Sequence, residues 1–108
     1  MDTATWRRLT EAVPWLRQLD PALAEQLDLD ELVVPDGAVA VARVAVEQAV
    51  GAYVMTYRHV PAVPGRRQLC QVLAAAPLDS AAVAALRMAE ARLCGVLLCA
   101  YARPLRCR

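Results

Sequence analysis

The longest apolar stretch of the chain, residues 37–60, restricts the folds that it can adopt. It reads GAVAVARVAVEQAVGAYVMTYRHV, and before Thr56 only Arg43, Glu47 and Gln48 interrupt its apolar residues. A helix that is apolar on nearly every side belongs inside a protein, covered by its neighbours. Because the stretch is too long for one typical strand and is rich in alanine, we expect a central helix over residues 37–60.

The VPDG sequence at residues 34–37 can be read in two ways. Pro-Asp-Gly between apolar runs is typical of a hairpin, which would pair residues 32–34 with residues 38–41 as short strands. Alternatively, Asp36 is the N-cap of a helix that begins at the following glycine. We favour the helix, because Arg43 and Glu47 then lie on one face and pair, but the sequence leaves the hairpin open.

Shorter helices are predicted before and after the central one. Apolar residues recur with the helical period from residue 6 to residue 16, and Pro14 should split this segment. Asp20 followed by Pro21 indicates a helix start, since aspartate caps free N–H groups and proline is tolerated at the first position. An amphipathic helix is expected over residues 64–76.

The last predicted helix is capped by Asp79 or Ser80 and runs to about residue 102. Its second half, LCGVLLCAY, is apolar on all sides and should be as buried as the central helix. Gly51 and Gly95 would each lie in the middle of a helix, at a cost of about 1 kcal/mol relative to alanine. We therefore expect the two helices to cross closely near both glycines.

These elements predict an all-α fold, a compact bundle of about five helices. The central helix, residues 37–60, would pack on the C-terminal helix, residues 80–102. The chain has 108 residues, of which 58% are hydrophobic and 21% charged, values typical of one folded domain. We expect residues 1–108 to form a single helical domain, with residues 103–108 as a frayed tail.

Composition narrows the classes of partner. The net charge of +1 argues against nucleic acid and against an anionic membrane surface as the partner. All twelve basic residues are arginines, and Lys, Ile, Phe and Asn are absent, which indicates a GC-rich genome. The N-terminus lacks an apolar signal region, and the best candidate membrane span, residues 93–102, is about half the required length. We therefore expect a protein of the reducing cytoplasm.

Catalytic, metal and cofactor sites are not predicted. Cys70, Cys94, Cys99 and Cys107 contain no C-x-x-C pair, so we expect free and mostly buried thiols with the last one exposed on the tail. The single histidine, His59, is better explained by a helix end, and the single serine by a helix start. We predict that the protein is not an enzyme and has no cofactor.

Charge is distributed unevenly along the chain, which suggests an interaction surface. Six acidic residues and no basic residue occur over residues 20–36, whereas the best basic cluster lies over residues 58–67. Complementary patches of this kind steer association. The predicted interaction residues are Asp28, Asp30, Glu31, Asp36, Arg58, Arg66 and Arg67.

We therefore predict a non-enzymatic protein–protein interaction module, an adaptor or modulator whose partner is another protein, a second copy of the chain, or both. In size, helix count and charge segregation the chain loosely resembles death-fold adaptors, such as caspase-recruitment-like domains, and small helical viral modulators of host signalling. An alternative is a small ligand-binding or enzymatic domain whose pocket is lined by Tyr53, Tyr57 and His59.

Overall fold

Residues 2–108, the part of the chain that the computed structural model describes, combine α-helices with a small antiparallel sheet. The helices are α1 (Thr3–Ala12), α2 (Pro21–Ala24), α3 (Gly37–Val50), α4 (Leu69–Val72) and α5 (Ser80–Ala91). The strands are β1 (Tyr53–Tyr57) and β2 (Leu97–Tyr101), and short 3₁₀ helices cover Pro14–Gln18 and Leu29–Glu31. The prediction of an all-α bundle is therefore wrong.

Glycines end the helical part of both apolar stretches. Gly51 is the C-cap of α3 with φ 69°, and Gly95 follows α5 with φ 73°. This left-handed region is disfavoured for residues with a β-carbon, so glycine fits both positions. The segments that follow, YVMTY and LLCAY, form strands because they are rich in aromatic and branched side chains and find each other as partners. The predicted helix crossing at the two glycines is also wrong, since both lie exposed in turns with open space around them.

The two strands pair antiparallel and divide their side chains between two faces. One face carries the pairs Tyr53–Tyr101, Met55–Cys99 and Tyr57–Leu97, and the other carries Val54–Ala100 and Thr56–Leu98. Short extended segments continue the hydrogen bonding at both edges, residues 32–33 beside β1 and residues 74–76 beside β2.

Helices cover both faces of this sheet. The first face packs on α1, the 3₁₀ helix after it and α4, in a core that includes Leu9, Trp15 and Leu69. The second face packs on α3 and α5, around residues such as Val46 and Leu98. These two helices are antiparallel, because each precedes one of two antiparallel strands and the end of α3 borders the start of α5.

The predicted helix starts and breaks are confirmed where a local signal sets them. The first segment ends at Ala12 and a 3₁₀ helix begins at Pro14. Asp20 caps α2 through a hydrogen bond of 2.8 Å from the N–H of Ala22, and Asp79 caps α5 in the same way. Of the two alternatives at residues 34–37, the structure has the helix, which begins directly after Asp36. Residues 32–33 pair with β1 and not with residues 38–41.

The last six residues, for which we expect fraying, lie alongside the segment that follows α4. The N–H of Ala74 donates to the carbonyl of Arg106 at 2.9 Å, and the N–H of Arg108 donates to the carbonyl of Val72 at 2.7 Å. Leu105 between them packs on the first core. Among residues 2–108 there is no helix of the length and apolar character needed to cross a membrane.

Candidate functional site

The predicted interaction residues of the acidic and basic segments lie next to each other in the fold. The N–H of Arg67 donates to the carbonyl of Gln26 at 2.8 Å, and the N–H of Asp28 donates to the carbonyl of Arg67 at 3.0 Å. The guanidinium of Arg66 donates to the carbonyl of Glu25 at 2.7 Å. Arg66 and Arg67 therefore lie beside the acidic segment at residues 25–28, rather than on a separate patch.

Two of the predicted acidic residues point inward. Asp28 is 8% exposed and accepts a hydrogen bond of 3.1 Å from the N–H of Asp30, which starts the 3₁₀ helix at residues 29–31. Glu31 is 5% exposed, and its carbonyl accepts from the N–H of Arg58 at 2.8 Å. Asp30, Arg58 and Asp36 are exposed, but the last lies at the start of α3, whose helix covers the other face of the sheet.

The carboxyl group of Glu31 reaches under α4. Its Oε1 accepts a hydrogen bond of 3.0 Å from the N–H of Leu69, one of the N–H groups that a helix start leaves free. Burial raises the pKa of this carboxyl, and the charge of Asp28 raises it further. Sequence reasoning placed Glu31 on an acidic surface, because nothing in its spacing shows that residues 69–72 cover it.

A surface depression of about 190 Å³ opens beside Glu31. Its lining residues are Glu31, Tyr57, Arg58, His59, Val60, Gln68, Cys70, Leu97 and Cys99. Cys99 is half-buried, and burial, with the nearby groups Cys70, Glu90 and Glu31, raises the pKa of its thiol to about 11. That thiol is therefore protonated at neutral pH, and the depression has a mostly apolar wall with one carboxylate in it.

The aromatic pocket of the alternative prediction is not assembled as one cavity. Tyr57 and His59 line the depression, whereas Tyr53 lies at the far end of β1. There its ring stacks on Trp15, with ring centres 5.2 Å apart, and the guanidinium of Arg103 lies 4.5 Å from the ring centre.

The cysteines are free, and three of them are exposed. Cys70, Cys94 and Cys107 are exposed and Cys99 is half-buried, so the expectation that most are buried is wrong. Both Cys94 and Cys99 were placed on a buried helix, but the first falls in the turn after α5 and the second in β2. Residues 2–108 bring no three His, Cys, Asp or Glu side chains into an arrangement that could hold a metal ion.

The most unusual surface belongs to α3, which turns its charged residues inward and two of its valines, Val41 and Val44, outward. Arg43 is 4% exposed, while Val41 is 72% and Val44 is 41% exposed. The Arg43 guanidinium donates to Glu47 at 2.9 Å and to the carbonyl of Val54 at 3.2 Å. The predicted pairing of Arg43 with Glu47 is thus confirmed, but the pair faces the sheet instead of water.

The neighbouring helix α5 extends this apolar surface. Met88 is 60% exposed, and since both helices cover the same side of the sheet, their solvent-facing sides point the same way. We call this surface the outer face. Its exposed residues are Gly37, Ala38, Val41, Val44, Ala45, Gln48 and Ala49 of α3, with Ser80, Ala81, Ala84, Arg87, Met88 and Ala91 of α5. Arg87 is the one charged residue in this set.

The chain matches none of the protein-family models, curated proteins or solved structures with which it was compared.

Proposed function

We propose that the protein is a non-enzymatic interaction module that associates with a second copy of itself through the outer face. The observation that carries the proposal is the orientation of α3, which buries Arg43 and Glu47 and exposes Val41 and Val44. Isolated exposed apolar residues are ordinary, but a mostly apolar patch spread over two helices is typical of a surface that a partner covers. This proposal keeps the predicted class of function. It leaves out the death-fold resemblance, which rested on size, helix count and charge segregation, because the fold contains a β-sheet.

A second copy suits this surface because a two-fold dimer brings together the same surface patch of both copies. A face with Arg87 as its one charged residue leaves little charge to desolvate when it is buried against itself. Small alanine side chains beside the valines also let two helical layers approach closely. The charged cluster around Arg66 and Arg67 already satisfies part of its hydrogen bonding within the chain, and so offers less to a partner.

The size of the outer face suggests a weak, reversible dimer. The 14 residues of α3 span about 21 Å, and a neighbouring helix lies roughly 10 Å away. A two-helix layer of these dimensions is at the small end of specific protein interfaces. We further propose that this association takes place in the reducing cytoplasm, which suits a chain with four free thiols.

The test is the concentration dependence of the molecular mass, measured by sedimentation equilibrium up to millimolar protein. We expect a monomer–dimer equilibrium, and we expect Val41→Glu to weaken it by about tenfold or more, since each new dimer would bury two carboxylates. Val63→Glu is the matched control, because Val63 is 44% exposed in the loop before α4. A monomer at every concentration, or equal weakening by both variants, would overturn the proposal.

A further inference from the structure

Glu31 is a buried carboxylate that no side chain of residues 2–108 neutralises. The ion pairs among these residues join Glu47 to Arg43 and to Arg103, and none includes Glu31. Arg58 lines the same depression, yet it contacts Glu31 through its main-chain N–H and not through its guanidinium. Buried charges in proteins are as a rule paired with an opposite charge, so the pairing of Glu31 is incomplete.

One oxygen of this carboxylate remains available to a ligand. Oε1 is held by the N–H of Leu69 at 3.0 Å, whereas Oε2 accepts no hydrogen bond from residues 2–108. The side chain lines the depression beside the ring of Tyr57 and the apolar side chains of Leu97 and Val60. A cavity with mostly apolar walls and a few polar groups, here Glu31, Arg58, His59 and Gln68, is the usual form of a small-molecule site.

We infer that this depression binds a small organic cation with N–H donors, such as a primary ammonium group on a short alkyl chain, and that Glu31 holds its charge. The ammonium donates a hydrogen bond to Oε2, and its alkyl part lies against Leu97 and Val60. The cavity of about 190 Å³ limits the ligand to a few heavy atoms.

Arg58 also lines the depression, but it is exposed and water screens its charge, whereas Glu31 is buried, so the space beside Oε2 favours a cation over other ligands. An anion would meet the charges of Glu31 and of Asp28, which lies near enough to affect the pKa of Glu31. The thiol of Cys99 is protonated at neutral pH, so it adds no charge. A metal ion would need further ligands, and residues 2–108 bring no third side chain of a suitable type into position.

The test is titration of the full chain with propylammonium chloride at pH 8 and constant ionic strength, followed by NMR of the backbone amides. We expect saturable shifts centred on Leu69 and residues 57–60, with a dissociation constant on the order of millimolar, as suits a ligand of about four heavy atoms. Tetramethylammonium, which has the charge but no N–H, should bind at least about tenfold more weakly.

Glu31→Gln removes the charge and keeps an oxygen that can accept from Leu69, so it is expected to fold and to bind propylammonium about tenfold or more weakly. Glu11→Gln is the matched control, because Glu11 is exposed on α1 and lies outside the depression. Val41→Glu should bind as the parent does, since the outer face lies across the sheet from the depression.

Three results would overturn the inference. The first is the absence of saturation with propylammonium in the unaltered chain. The second is equal binding by Glu31→Gln and the Glu11→Gln control. The third is equal binding of tetramethylammonium, which would reduce the effect to general ionic attraction. None of these results bears on the mass measurement that tests self-association.

Discussion

The guanidinium of Arg43 and the carboxylate of Glu47 form an ion pair of 2.9 Å on the side of α3 that faces the sheet. Glu47 also accepts a hydrogen bond of 2.9 Å from the N–H of Val54, and Arg43 donates to the carbonyl of the same residue at 3.2 Å. The pair thus completes the hydrogen bonding of the first residues of β1 while α3 packs over it. One consequence is that the exterior of α3 is left with small apolar side chains.

Removal of one member of this pair should be costly. Glu47→Ala leaves the Arg43 guanidinium buried without a counter-charge and frees the N–H of Val54, so we expect the free energy of unfolding to fall by about 3 kcal/mol or more. Urea denaturation measures this change. Replacement of both residues, Arg43→Met with Glu47→Leu, should restore part of the lost stability. A double variant that is less stable than Glu47→Ala would contradict this explanation.

Tyr101 offers a stabilising substitution. Its hydroxyl is buried and has no hydrogen-bond partner among residues 2–108, and burial raises the pKa of this phenol well above its ordinary value. Tyr101→Phe removes an unsatisfied polar group and keeps the ring, so we expect the free energy of unfolding to rise by about 1 kcal/mol. Thermal and urea unfolding should agree, and a clear loss of stability would show that the hydroxyl has a partner such as bound water.

The pH dependence of stability should carry the signature of Glu31. Its folded pKa lies above the ordinary value of 4.5, so the folded protein holds the proton more tightly than the unfolded chain does. The free energy of unfolding therefore falls as the pH rises from about 4.5 through the folded pKa of Glu31. Above the folded pKa, the contribution of Glu31 is constant.

Urea denaturation at a series of pH values checks this sign. Glu31→Gln should remove the loss of stability over that range, and at neutral pH it should be at least as stable as the parent chain. The exposed Glu11→Gln serves as the control, which should leave the pH profile unchanged. A profile for Glu31→Gln that follows the parent would assign the dependence to another group.

The role of Gly51 in ending α3 can be tested by the addition of a single methyl group. No heavy atom lies within 4 Å of an ideal β-carbon at this position, so Gly51→Ala meets no steric obstacle from neighbours. The backbone, with φ 69°, is nevertheless disfavoured for alanine, and we expect a destabilisation of about 1 kcal/mol. Ala49→Gly, on the exposed side of α3, measures the helix-propensity effect at a nearby site. An increase in stability for Gly51→Ala would mean that the chain adjusts to continue the helix.

Sequence alone determined the features that depend on neighbours along the chain. Asp20 and Asp79 cap helices because their carboxylates reach N–H groups two or three residues ahead. Pro14 ends the first helix because it lacks an N–H, and Arg43 pairs with Glu47 because four residues bring them onto one side of a helix.

The tertiary structure decided the features that depend on distant partners. Residues 53–57 could have continued α3 by composition, and they are a strand because residues 97–101 supply the hydrogen bonds and Gly51 permits the turn. Val54 of the same sheet supplies the carbonyl and the N–H that bind the Arg43–Glu47 pair, and these hydrogen bonds hold the pair on the side of α3 that faces the sheet. Likewise, the carboxyl of Glu31 is buried because it accepts a hydrogen bond from the N–H of Leu69, a residue distant in the sequence. Spacing in the sequence sets which side chains share a face, but only packing decides which face is covered.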